Sequence, residues 1–169
     1  MNNFKEITAQ KLTLNPFTKI GKEWMLITAG NQEKFNTMTA SWGGLGVLWN
    51  KDVAFTFVRP CRYTFEFTEE SDFFSLCFFG EDCREALNLC GTKSGRDCDK
   101  VKEANLTPVF VDGVPCFEEA KLVLICKKLY AQPMDKAFAL TQDVTKHYGE
   151  NEPYHTMYAG EIIKALTKE

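Results

Sequence analysis

The chain has 169 residues, 44% of them hydrophobic and 25% charged, with a net charge of -3. That is the make-up of one globular domain, residues 1–169, long enough to bury its own core. The acidic balance excludes a nucleic-acid partner, which calls for a basic excess. No apolar run approaches the ~20 residues that span a bilayer, so no membrane partner is expected either.

From the amino terminus, Met1 to Glu6 lack the apolar run of a secretory signal. Asn15-Pro16 reads as a helix start, with Asn as cap and Pro in the first turn, and Gly21 ends that turn. Trp24–Ala29 is a strand, Gly30-Asn31 a turn, and Asn36–Trp42 the hairpin partner. A glycine turn through Gly43, Gly44 and Gly46 then leads to a strand over Val53–Val58. Pro60 opens a helix carrying Phe65 and Phe67. Phe73–Phe79, apolar almost throughout, is a central strand.

Glu81–Cys90 has helix composition, with acids in its first turn and Gly91 just beyond its end. A polar loop over Thr92–Arg96 leads to a second helix capped by Asp97. Val109–Val111 and the segment after Asp112-Gly113 form a hairpin. Glu119–Tyr130 is a long strand, Gln132–Pro153 a long and partly helical loop, and Tyr154–Leu166 a closing strand. Six or seven strands joined mostly by hairpins disfavour a doubly wound parallel sheet. The expected fold is mainly β with added helices: a closed or nearly closed antiparallel barrel with helices outside.

The seven cysteines are odd in number and contain no Cys-x-x-Cys. The two histidines, His147 and His155, stand apart from them. A disulfide framework and a metal site are therefore not expected. The thiols read as mostly buried small hydrophobes of a cytoplasmic protein.

The stretch with most chemistry is Asn36-Thr37-Met38-Thr39-Ala40-Ser41-Trp42. As a strand it sets Thr37, Thr39 and Ser41 on one face and Asn36, Met38, Ala40 and Trp42 on the other. One face can bond a polyol or phosphate, and the other offers a flat, mostly apolar bed. The plainer reading is a Thr-rich strand entering a glycine turn. Gly44-Leu45-Gly46 lacks the third glycine of a dinucleotide fingerprint, and Gly91–Arg96 lacks the order of a P-loop. Phosphate can instead be held by cations and hydroxyls at turns and helix starts. Two clusters qualify: Arg59, Arg62, Tyr63 and Thr64, and Lys93, Ser94, Arg96 and Lys100. The alternative for each is solvated surface charge. There is no Gly-x-Ser-x-Gly elbow, and His155, between Tyr154 and Met157-Tyr158, reads as either a structural or a catalytic histidine.

Four blocks occur in order: Asn36–Trp42, Arg59–Thr64, Ser94–Lys100 and Tyr154–Ile162. In this combination the chain resembles the flavin reductase-like family, with its antiparallel Greek-key, FMN-binding split barrel, and especially the flavoredoxin-like branch. The resemblance implies a homodimer with tight, non-covalent FMN near the subunit interface. It implies that Asn36, Thr37, Met38, Thr39, Ala40, Ser41 and Trp42 line the ring and ribityl chain, partly through backbone groups. It implies that Arg59, Tyr63, Thr64 and Lys100 approach the phosphate, with Lys93 and Arg96 as further neutralising cations. His155 matches a histidine near the flavin or the incoming nicotinamide, which marks it as the catalytic candidate. The Gln132–Pro153 insertion departs from the shorter connection of simpler relatives.

The implied function is an FMN-dependent oxidoreductase that takes hydride from NADH or NADPH and passes electrons to free flavin or a small acceptor. The alternatives are a flavoredoxin-like electron carrier with a redox protein as partner, and a binding module without turnover.

Overall fold

The computed structural model describes residues 4–168. Its elements, in chain order, are β1 (Lys5–Ile7), α1 (Pro16–Thr18), β2 (Met25–Gly30), β3 (Phe35–Ala40), β4 (Gly43–Leu48), β5 (Lys51–Val58), α2 (Tyr63–Glu70) and β6 (Phe73–Phe78). There follow α3 (Arg84–Thr92), α4 (Lys100–Glu103), β7 (Pro108–Val111), β8 (Val114–Phe117), β9 (Leu122–Pro133), α5 (Gln142–Thr145) and β10 (Thr156–Thr167).

Hydrogen-bonded neighbours in the main sheet run β3-β2-β6-β9-β10-β5-β4, every pair antiparallel, with β1 added to β10. The two ends of this path, β3 and β4, are consecutive in the chain. Only Ser41 and Trp42 join them, a span of about 10 Å at most. The sheet must therefore curl until its two edges meet, which makes a barrel with a seam at Ser41-Trp42. β10 binds β9 along its whole length but changes its other neighbour, from β5 over Thr156–Glu161 to β1 over Ala165–Thr167. Register shifts at Ala159/Gly160 and Ile162/Lys164 bend it between those two partners.

Alternation sorts the core into two sets. Ile27, Leu76 and Leu124 belong to one apolar cluster, with Phe74, Phe78 and Tyr158. Their chain neighbours Leu26, Cys77, Val123 and Ile125 belong to a second, with Leu87 of α3 and Phe117 of β8. β2, β6 and β9 are thus covered on both faces, which is why they read as near-continuous apolar runs.

Several elements differ from the sequence reading. The glycine stretch after Trp42 is strand β4, paired residue for residue with β5. A Cβ at Gly43 would come within 2.8 Å of the Phe55 carbonyl oxygen, and the Phe55 ring lies beside Gly44 and Gly46. Glycine here admits the partner strand instead of making a turn. The turn comes later, at Trp49-Asn50, both with positive φ, as in the primed turns of tight hairpins. β1 was not foreseen. β3 stops at Ala40, two residues before Trp42. Gly21 does not end the first helix, which runs on as a widened turn over Lys19–Glu23. The helix after Pro60 begins at Tyr63, α3 includes Gly91, β9 continues to Pro133, and β10 starts at Thr156.

Asp99, not Asp97, caps α4, accepting from the Lys102 N–H. The Asn15 cap of α1 and the β2–β3 and β7–β8 hairpins stand as expected. No described helix is long and apolar enough to cross a membrane.

Candidate functional site

The barrel seam opens onto two adjoining hollows that share Met38, Thr39 and Arg62. The inner one, about 70 Å³, is lined by Cys61, Tyr63 and Thr64 at the start of α2, by Cys90 and Gly91 at the end of α3, and by Lys93, Ser94, Gly95 and Lys100. The outer one, about 210 Å³, is lined by Ala40, Ser41, Trp42, Phe57, Arg59 and His155.

The inner pocket is built around a loop that requires glycine. A Cβ at Gly95 would meet the Asn36 Oδ1 at 2.1 Å, so the 94–95 loop can lie directly against β3. Asn36 in turn donates from Nδ2 to the Thr64 Oγ1 at 2.8 Å, tying β3 to the first turn of α2. The N-cap residue of α2, Arg62, makes no side-chain cap bond. The first-turn N–H groups of that helix favour an anion, and the helix dipole adds to this.

Lys100 is the buried cation of the pocket, 5% exposed. Asp99 caps α4 and so places Lys100 at its first position. The ammonium donates to the Cys90 carbonyl at 3.0 Å, and no ion-pair partner is found for it among the described residues. Burial holds it below the usual lysine range; nearby Cys90 and Cys98 oppose that shift and Arg62 adds to it. A buried, uncompensated ammonium is costly unless an anion joins it. Lys93, at the rim, is instead committed to Glu103 at 2.5 Å.

In the outer groove the Trp42 indole stands 4.9 Å from the His155 ring and 5.3 Å from that of His147, centroid to centroid. The His155 Nδ1 lies 2.8 Å from the Tyr148 hydroxyl, and Tyr148 stacks on Tyr154 at 3.8 Å. Arg59 reaches up from the end of β5 to Glu152 at 2.8 Å and to the His147 carbonyl at 2.7 Å. Its guanidinium lies 5.0 Å over the Tyr148 ring. The 147–152 stretch is thereby tied to two lining residues of the groove, Arg59 and Trp42. Burial, then Arg59 and Arg62, push the His155 imidazole down to about 4, so it is neutral at neutral pH.

Of the residues singled out in the sequence, Met38, Thr39, Ala40, Ser41, Trp42, Tyr63, Thr64, Lys93, Lys100, Arg59 and His155 line one hollow or the other. Three do not. Thr37 is fully buried, its hydroxyl 2.8 Å from that of Thr28 and donating to the Ile27 carbonyl. Asn36 lies behind the pocket as a brace. Arg96 pairs with Glu66 and lies over the Tyr63 ring, in an open groove that adjoins the inner pocket through Tyr63, Gly95 and Lys100. The Thr39 hydroxyl is also committed, to the Leu87 carbonyl. The hydroxyl face of β3 thus binds mostly protein. Arg62, which the sequence offers as a member of a cationic cluster and the resemblance does not carry over, lines both hollows. No cluster of His, Cys, Asp or Glu suited to a metal is present among the described residues, and all seven cysteines are free.

The site is thus a cationic pocket at the seam of an antiparallel barrel, adjoined by an aromatic groove. The family model of the flavin reductase like domain matches residues 17–169, and the chain belongs to that family. No curated protein sequence matches it. Among solved structures it is similar to an FMN-binding domain of a flavin reductases-like enzyme from Shewanella baltica, at 16% identity and TM-score 0.71, covering 98% of this chain and 78% of that one. It is also similar to flavoredoxin from Methanosarcina acetivorans, at 22% identity and TM-score 0.69, covering 95% and 77%. An NADH:FAD oxidoreductase from Streptomyces globisporus matches at 14% identity and TM-score 0.65, covering 87% and 76%. At these identities the likeness is one of fold, a split barrel.

Proposed function

We propose that this protein is an FMN-dependent oxidoreductase that accepts hydride from NADH or NADPH and delivers electrons to flavin or another small acceptor. The observation that carries this reading is the Lys100 ammonium, buried at the pocket floor with a carbonyl but no carboxylate. A phosphate monoester would supply the missing charge, and the adjoining groove has the aromatic walls that suit a ring system.

The residues fit FMN in both parts. Lys100, Arg62 and the first turn of α2 would hold the phosphate, while Trp42, Phe57 and His155 would flank the ring. FMN bound there would supply the redox chemistry, hydride acceptance included, without a protein acid. The chain's own work is to bind and orient. Arg59 ties the 147–152 stretch to the edge of the groove. Neutral His155 adds no charge beside the ring.

The hollows enclose about 70 and about 210 Å³, whereas sites for ligands of this size run to ~300–1,000 Å³. Both hollows open to solvent, and a homodimer whose second subunit covers them is part of the same reading. Seven free thiols suit a reducing compartment such as the cytoplasm.

A second reading, an electron carrier serving a redox protein, is favoured by the 147–152 stretch itself, which narrows the approach of a nicotinamide. Mixing FMN-loaded protein with NADH or NADPH without oxygen separates the two. Rapid bleaching of the flavin's visible band is expected. Bleaching by dithionite but by neither nicotinamide contradicts the reductase reading and leaves the carrier.

A further inference from the structure

Tyr148 lies on the segment between β9 and β10, and its hydroxyl is 2.8 Å from the His155 Nδ1. Which group donates follows from the surroundings. Burial pushes the Tyr148 phenol up, so it keeps its proton. Burial and the two arginines keep His155 unprotonated on one nitrogen. In such a neutral pair the phenol O–H is a stronger donor than an imidazole N–H, and the imidazole nitrogen a stronger acceptor than a phenol oxygen, so across the 2.8 Å the O–H points to Nδ1. The phenol is held in place by stacking on Tyr154 at 3.8 Å and by the Arg59 guanidinium 5.0 Å over its face. That cation also makes the phenol a stronger donor.

We propose that Tyr148 is a positioning residue: its O–H engages Nδ1 of His155, so that the imidazole keeps its own proton on Nε2 and offers a fixed N–H donor to an acceptor atom of the ring in the groove. The inference rests on the flavin reading for the identity of that ring. The tautomer itself does not depend on it. A histidine that donates from a known nitrogen stabilises negative charge developing on a nearby ring oxygen or nitrogen, while a free mixture of tautomers does so only part of the time. Charged groups around the pair are Arg59 and Arg62, with Glu152 held away on Arg59.

The test uses the full chain, labelled with ¹⁵N in its histidines, without flavin. Wild type should show His155 with Nε2 protonated and Nδ1 shifted as a hydrogen-bond acceptor. Tyr148→Phe should move the Nδ1 signal toward that of a free imidazole. Tyr154→Phe should not, although it removes a hydroxyl from the same stacked pair; the Tyr154 hydroxyl is buried without a partner. In a parallel titration Tyr148→Phe should weaken FMN and riboflavin alike, about two- to tenfold, since the contact is with the ring. Nδ1 carrying the proton in wild type, or His155 signals indifferent to Tyr148→Phe, overturns the proposal. Failure of wild type to bind any flavin would instead strike the function reading, and it is read in the titration, apart from the tautomer.

Discussion

The Lys100 ammonium donates to the Cys90 carbonyl across 3.0 Å, joining the first residue of α4 to the last turn of α3. That single bond points a buried cation into the barrel seam and leaves its charge uncompensated.

Replacing Lys100 by Met should therefore have opposite effects on binding and on stability. A charge-assisted hydrogen bond to phosphate is worth roughly 1.5–3 kcal/mol, so FMN should weaken about ten- to a hundredfold. Riboflavin should bind as before. The flavin-free protein should melt no lower, because an unpaired buried ammonium has been removed. Arg62→Ala should also weaken FMN selectively. Arg59→Ala, which frees the 147–152 stretch, should weaken FMN and riboflavin equally. Titration by flavin fluorescence, with a melting curve for each variant, checks all three. An unchanged FMN affinity in Lys100→Met would place the phosphate elsewhere.

His155 gives the pH dependence. Its folded value is held near 4, below the ordinary 6.5, by burial and by Arg59 and Arg62. The unfolded chain therefore binds more protons in that window, and the folded state loses stability as pH falls from 6.5 to 4. Above 6.5 the contribution is complete; below 4 it is fully lost. Screening at this half-buried position limits it to about 1–2 kcal/mol. Denaturant curves at pH 7, 5.5 and 4 should show that loss, and His155→Gln should reduce it.

Gly95→Ala tests the brace behind the pocket. The new methyl would collide with the Asn36 Oδ1 at 2.1 Å, and Asn36 could yield only by leaving Thr64. We expect a loss of ~1–3 kcal/mol, in line with overpacked sites, together with weaker FMN. Gly160→Ala, whose methyl would meet the Phe74 ring at 2.6 Å, should destabilise similarly yet leave FMN affinity intact in the folded fraction. Equal effects of the two on FMN would mean that the 94–95 loop does not shape the pocket.

Cysteine labelling maps the pocket without mutation. Cys61 is exposed and lines the inner hollow. Cys77 and Cys126 are fully buried, burial pushes Cys90 up to about 11 and Cys116 up to about 12, and the part-buried Cys83 and Cys98 are also held above the usual thiol range. One thiol should react quickly with a maleimide, identified as Cys61 by peptide mapping, and FMN should slow it more than riboflavin does. Several thiols reacting at one rate in native protein would contradict this packing.

Much of the barrel was legible because alternation and turn chemistry act locally. The β2–β3 and β7–β8 hairpins, and the doubly covered strands β6 and β9, follow from patterns within ten residues. β4 was hidden because Gly43, Gly44 and Gly46 carry no strand signal of their own; the Phe55 ring beside them comes from the next strand. At the site, Trp42, Lys100 and His155 could be named from residue type and order. The pairing of the Thr37 hydroxyl with Thr28, 9 positions away across the β2–β3 hairpin, lies within such local patterns, whereas the commitment of the Thr39 hydroxyl to Leu87, 48 positions away, could not be read. The same holds for Arg59, whose bonds to His147 and Glu152 span 88 and 93 positions.

The most direct test of the central claim is to titrate the wild-type protein with FMN and with riboflavin under identical conditions. If Lys100 and Arg62 hold the phosphate, two charge-assisted bonds should make FMN at least about a hundredfold tighter. Equal affinity for the two flavins, or no binding of either, would contradict the account.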